Sequence, residues 1–230
     1  MSVIVNKLMF PPACFTGMGL CHNVLRDIVG YLQTGNIKKI VEFGSGSSTE
    51  FLLTFKEMYN LEFSVESYDH MLFEGLMPIL ERNGSTLDIA NHNIISNSIN
   101  FVFKDRHLVQ YTDEEYSQIM NGSDFPQGET LVEKEHDNFR SKNVFYNIKK
   151  DDLDGYYDMV ILDGPNGNGR SIAFRHLVDK VRPGTKIIVD DYHHYPFIED
   201  CKKLLNVNII KQINLPDFHR LHGYAILEVV

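Results

Sequence analysis

The run Lys39-Ile40-Val41-Glu42-Phe43, followed at once by Gly44-Ser45-Gly46-Ser47-Ser48-Thr49, constrains this chain more than any other stretch. A short apolar segment ends in a loop of two glycines and four hydroxyl residues, and Phe51, Phe55 and Met58 then recur at helical spacing. The pattern predicts strand, tight turn and helix. Glycines there admit backbone angles closed to other residues and let a ligand approach the main chain, while the first N–H groups of the helix face a bound polar group. A plain Gly/Ser connection opening on a hydroxyl helix cap has the same composition. Context favours the ligand loop: Glu66 closes the next apolar run at about the twenty-residue offset where nucleotide folds place an acid on the ribose hydroxyls.

The rest of the chain alternates in the same way. Val24, Leu25, Ile28 and Leu32 predict a leading helix ending near Gly35, either padding the sheet or forming part of a lid. Leu72, Leu76, Ile79 and Leu80 predict another helix. Strands are expected over 99–103 and 144–148, and the polar, acidic stretch 106–142 reads as an insertion with one short helix. Residues 157–163 form a buried strand ending in an acid, and a helix over 170–181 stops at Pro183-Gly184. The strand over 186–190 ends in a second acid with Asp191 beside it. A helix carrying Ile198, Cys201 and Leu205 precedes two closing runs, 207–213 and 224–229, that read as an antiparallel pair. The expected fold class is α/β, with a mainly parallel sheet covered by helices on both faces. A chain of 230 residues suits a single domain, 1–230, with a helical leader over 1–37 and the insertion at 106–142.

A net charge of −9 offers no electrostatic footprint for nucleic acid or an anionic membrane, and no run approaches the roughly eighteen apolar residues of a membrane span. Cys14, Cys21 and Cys201 form no Cys-x-x-Cys pair and read as free thiols, so a cytoplasmic location is expected. Oligomeric state is left open.

In open α/β sheets, ligands bind beyond the carboxyl ends of the strands. Glu66, Asp163, Asp190 and Asp191 are expected there. Each alone could be a helix cap or a solvated strand end. If the strands ending in Asp163 and Asp190 are neighbours, three carboxylates converge and their mutual repulsion favours a cation. An all-oxygen set suits magnesium, manganese or calcium better than zinc.

The segment from Val41 to Thr49 resembles the first motif of class I S-adenosylmethionine-dependent methyltransferases, and the closing strand pair resembles the reversed final hairpin of that fold. Thr49 stands where a dinucleotide fingerprint has its third glycine, which counts against a nicotinamide enzyme. The resemblance, which covers residues 38–230 apart from the insertion, implies a Rossmann-like seven-stranded sheet. It also implies a cofactor pocket in which Glu42, Gly44, Ser45, Gly46, Ser47 and Ser48 meet the methionine part and Glu66 the ribose. Residues 158–163 and 187–192 resemble the metal-dependent O-methyltransferases of the catechol and macrolide-sugar types. That likeness implies Asp163, Asp190 and Asp191 as ligands of a divalent cation, magnesium or manganese. The stretch 163–173 resembles the glucuronoxylan 4-O-methyltransferase group, so the expected acceptor is a hydroxyl of a sugar or glycan.

Asp163 is thereby assigned to cofactor pocket, cation and chemistry together. The sugar enzymes carry an acidic base two residues after the first metal aspartate; here that position is Pro165, so the base does not carry over. His193 and His194 follow the metal pair, and two readings are open for them: general base, or loop residues with ordinary hydrogen bonds. Arg170 and Tyr192 are candidate substrate contacts, Arg170 having the alternative of simply opening its helix. His219, Arg220 and His222 in the final hairpin connection could border the acceptor pocket or be ordinary surface polarity. Three rivals remain: a catechol-like phenol acceptor walled by Phe15, Tyr192, Tyr195 and Phe197, a module that binds S-adenosylmethionine or a nucleotide without catalysis, and a nicotinamide oxidoreductase.

Overall fold

A computed structural model describes residues 20–70, 86–88, 93–95, 101–131, 142–216 and 221–230. The helix expected around Leu72–Leu80 lies outside these residues, as do Phe15, Cys14, His219 and Arg220. Helix α1 (His22–Gln33) leads into β1 (Lys39–Phe43), α2 (Ser47–Tyr59) and β2 (Ser64–Asp69). Two short strands, β3 (Thr86–Asp88) and β4 (Asn93–Ile95), pair with each other, and β5 (Phe101–Asp105) follows. The acidic stretch holds β6 (Leu108–Gln110), α3 (Asp113–Met120) and β7 (Glu129–Thr130); β6 pairs with both β7 and β8 (Val144–Tyr146) in a separate antiparallel sheet. Thr112 and Glu115 close a reciprocal capping box at the start of α3, which explains a helix in so polar a segment. The chain continues through β9 (Met159–Leu162), a 3-10 turn (Asn168–Ser171), α4 (Ile172–Leu177), β10 (Lys186–Asp190), α5 (Phe197–Leu204), β11 (Val207–Pro216) and β12 (Leu221–Val229).

The main sheet has seven strands in the order β11-β12-β10-β9-β1-β2-β5. All neighbouring pairs from β10 to β5 are parallel, whereas β12 runs against both β10 and β11. This is the Rossmann-like class I methyltransferase sheet expected from the sequence, with its reversed closing hairpin. Strands buried on both faces explain the continuous apolar runs. Ile40, Met159, Ile161 and Ile188 pack under α1 and α2, whereas Val41, Phe43, Val160, Leu162 and Val189 pack on the opposite face with α4 and α5. The leading helix therefore pads the sheet, with Val24, Leu25, Ile28, Val29 and Leu32 buried.

The order also fixes a switch point. From β1 the chain first builds outward through β2 and β5, then returns to add β9 and β10 on the other side. The crevice between β1 and β9, at their carboxyl ends, is where such a sheet accepts a ligand. Among the described residues, no helix is long and apolar enough to cross a membrane.

Candidate functional site

Strand register assembles the site. Phe43 is paired with Tyr68 on one side and Leu162 on the other, and Leu162 with Val189. The next residue on each strand therefore leaves the sheet beside its neighbours, giving the row Asp69, Gly44, Asp163, Asp190 along the carboxyl edge. At the switch point the two loops meet backbone to backbone. Gly44 has φ +99°, and a Cβ on it would lie 2.5 Å from the Gly164 nitrogen; a Cβ on Gly164 would lie 2.6 Å from the Tyr146 hydroxyl and 2.8 Å from the Gly44 Cα. Phe43 O accepts from both Asp163 N (2.9 Å) and Gly164 N (2.7 Å), tying the two loops together.

Glu42 is fully buried and points into the base of the glycine loop. Its carboxyl accepts from Ser48, from Thr49 (2.5 Å) and from Ser67 (2.7 Å). Burial lifts it to about 7, against the lowering by these three hydroxyls, and the Asp163 charge adds to the rise. Thr49 also takes the Gly46 amide (3.0 Å), so the residue at the missing third glycine position braces the loop. Ser45 donates its amide to Asp69 (2.7 Å) and its hydroxyl meets that of Ser67 at 2.5 Å. Ser47 opens α2. The loop residues anticipated around the cofactor thus lie together, and much of their polarity holds the loop's own shape.

Glu66 departs from expectation. It does not end its strand, because β2 continues through Ser67, Tyr68 and Asp69. By alternation its side chain joins Val41 and Phe43 on the face opposite Glu42. There it accepts from Tyr68 (2.5 Å) and Tyr157 (2.6 Å) and pairs with Lys104 at 2.7 Å. Burial first, then the Glu66 charge, holds both phenols far above their ordinary range. The acid at the end of β2 is Asp69, three residues beyond the apolar run that marks the strand in sequence.

The three aspartates do not form one ligand set. Asp163 and Asp190 meet as a pair; burial raises both, the charge of Asp163 and then of Asp191 raises Asp190 further, and Arg170 opposes the rise in each. Asp191 follows with φ +51°, and its carboxylate lies 3.8 Å from His194 Nδ1. Among the described residues, one trio of His, Cys, Asp or Glu brings its ligand atoms within 4.8 Å of one another, and it is Asp191, His193 and His194. The all-aspartate cation site does not fit this geometry, since Asp163, Asp190 and Asp191 do not bring their ligand atoms within 4.8 Å of one another.

Arg170, expected at the substrate, is 4% exposed and grips main-chain carbonyls: Pro165 O (3.1 Å), Asp190 O (2.8 Å) and Asp163 O (2.7 Å). It clamps the ends of β9 and β10 together over the Phe197 ring. Tyr192 is buried with its hydroxyl on Asn214 (2.8 Å), so it anchors the turn after β10 to β11. Tyr146, from β8, was not anticipated. Its hydroxyl stands over Gly164, and burial followed by the charge of Asp69 raises it well above an ordinary phenol.

No family model matches the chain, and no curated protein matches it. Solved structures similar to it include an rRNA methylase from Streptococcus thermophilus, at 12% identity over 90% of this chain and 96% of that one, TM-score 0.49. The N-methyltransferase NodS from Bradyrhizobium japonicum, with bound S-adenosylhomocysteine, is 9% identical over 90% and 86%, TM-score 0.48. Magnesium protoporphyrin IX methyltransferase from Synechocystis, with bound SAM, is 12% identical over 90% and 79%, TM-score 0.45. Strand order, not these likenesses, defines the fold.

Proposed function

We propose that this chain is an S-adenosylmethionine-dependent O-methyltransferase acting on a hydroxyl of a sugar or glycan. The observation that carries the reading is the contact of Gly44 with Gly164, which sets the glycine loop after β1 against the Asp163/Asp190 pair at the switch point. S-adenosylmethionine brings a sulfonium and an ammonium, and Glu42, Asp69, Asp163 and Asp190 surround that crevice with acids. The loop residues from Gly44 to Ser48 would hold the methionine end, with Asp69 in place of Glu66 toward the ribose.

In the transfer, the acceptor oxygen attacks the methyl carbon in line. The new O–C bond forms as the S–C bond breaks, and the electron pair returns to sulfur to leave neutral S-adenosylhomocysteine. Alignment supplies much of the rate. The hydroxyl proton goes to Asp163, a role that a carboxylate held above its usual range performs better than an exposed one. Arg170 keeps the two strand ends in place for this step, and Tyr146 offers a neutral hydroxyl beside them.

The sugar acceptor rests on the likeness of 163–173 to the glucuronoxylan group. Of the aromatics that could wall a phenol acceptor, Phe197 is 1% exposed beneath Arg170 and Tyr192 is 8% exposed, whereas Tyr195 is 38% exposed and keeps the phenol reading open to the acceptor panel. Calorimetry with S-adenosylmethionine and with NAD, followed by methyl transfer from labelled cofactor to panels of sugars and catechols, tests the reading. Binding of S-adenosylmethionine with labelled sugar products is expected. No binding at millimolar cofactor refutes it, and binding without transfer to any acceptor leaves the non-catalytic module.

A further inference from the structure

The turn after β10 gathers ligand atoms of a different kind from those in the buried pair. Asp191 occupies the left-handed region, uncommon for a residue with a side chain, and His194 N donates to Asp191 O (3.0 Å) to close the turn. The turn brings the carboxylate to 3.8 Å from His194 Nδ1 and sets the His193 and His194 rings 4.2 Å apart. Two features of the closing hairpin fit this arrangement. A Cβ on Gly223 would lie 2.8 Å from His193 Nδ1, so glycine in β12 admits the ring; and Tyr192, bonded to Asn214, pins the start of the turn to β11. The carboxylate and the His194 ring remain accessible, at 34% and 51% exposure.

We propose that Asp191, His193 and His194 form a binding site for a first-row divalent transition ion, a site chemically distinct from the all-aspartate set. Two imidazoles and one carboxylate suit zinc, manganese, iron, cobalt or nickel rather than magnesium or calcium, and three protein ligands leave coordination positions open. The site follows Asp190 directly, so an ion there sits beside the crevice; only the assignment of an acceptor oxygen as its further ligand rests on the methyltransferase reading.

Metal-stripped full-length protein titrated with Co(II) tests the site by visible absorption. One ion per chain is expected, with binding weakened at least about tenfold in His194→Ala, in His193→Ala and in Asp191→Asn, and unchanged in Asp163→Asn. Far-UV circular dichroism of each variant reports the fold. Spin-echo modulation of the Cu(II)-loaded wild type, which needs no variant, should show imidazole nitrogens. Undiminished cobalt binding in His193→Ala/His194→Ala overturns the proposal, as does loss confined to Asp163→Asn, absence of imidazole coupling, or no binding at millimolar metal. Cobalt binding without S-adenosylmethionine binding sinks the methyltransferase reading and leaves this site standing; cofactor binding without cobalt does the reverse.

Discussion

Glu42 makes stability depend on pH in a way that a titration can isolate. Its carboxyl moves from an ordinary 4.5 to about 7 on folding, because burial outweighs the three hydroxyls that donate to it. Below pH 4.5 the group is protonated in the folded and unfolded chain alike. Between 4.5 and 7 only the folded chain keeps the proton, so unfolding releases it and stability falls as pH rises; above 7 the loss is complete. At about 1.4 kcal/mol per pH unit, the loss amounts to about 3 kcal/mol. Other buried groups titrate in the same window, so the measurement is a difference between wild type and Glu42→Gln, which cannot ionise. The chain has no tryptophan, so urea unfolding is followed by far-UV circular dichroism across that interval. The stability of wild type relative to Glu42→Gln should fall by about 3 kcal/mol from the acid to the neutral end. A difference that stays flat would mean that Glu42 titrates near 4.5 in the folded chain and that the hydroxyls of Ser48, Thr49 and Ser67 offset its burial.

Glu66→Gln should cost about 3 kcal/mol by leaving Lys104 and two phenols without a charged partner, with cofactor affinity unchanged. Asp69→Ala should do the opposite, raising the Kd for S-adenosylmethionine about tenfold by freeing the Ser45 amide; calorimetry and urea titration of both variants check the pair. Arg170→Lys keeps the charge but cannot span three carbonyls, and should lower stability by about 2 kcal/mol and reduce turnover, read by thermal melts and labelled-methyl transfer. His176 is stacked on Phe125 and pushed down to about 3 by burial, with Arg175 adding to it, from an ordinary 6.5. Its contribution is present above pH 6.5 and lost below by about 1.4 kcal/mol per pH unit, so His176→Leu should flatten the acid limb of the stability curve.

What could be read from residues alone was the long apolar periodicity. The strands 39–43, 159–162 and 186–190 are buried on both faces and announce themselves, as does the stripe of α1. The end of β2 was hidden because Ser67 is a polar residue in the core, placed there to donate to Glu42, and it interrupts the apolar run at Glu66. Strands β6 and β7 have three and two residues, below the length at which alternation becomes a pattern, whereas β8 falls inside the apolar run 144–148. The clamp made by Arg170 is invisible in sequence because its partners are carbonyl oxygens, which every residue carries. Asp190 and Asp191 are adjacent and identical in sequence, yet β geometry directs one to Asp163 and a left-handed φ directs the other to His194. Tyr146 came from a separate small sheet that only the folded chain brings over Gly164.

The paired glycines carry one more implication. Because Gly44 and Gly164 touch through their main chains, the spacing between the loop after β1 and the loop after β9 is set by backbone contact and not by a side chain. Residues elsewhere around the crevice can vary while the spacing of the two loops is kept. A change at either glycine acts on both loops at once, so the two cannot be altered separately at this contact.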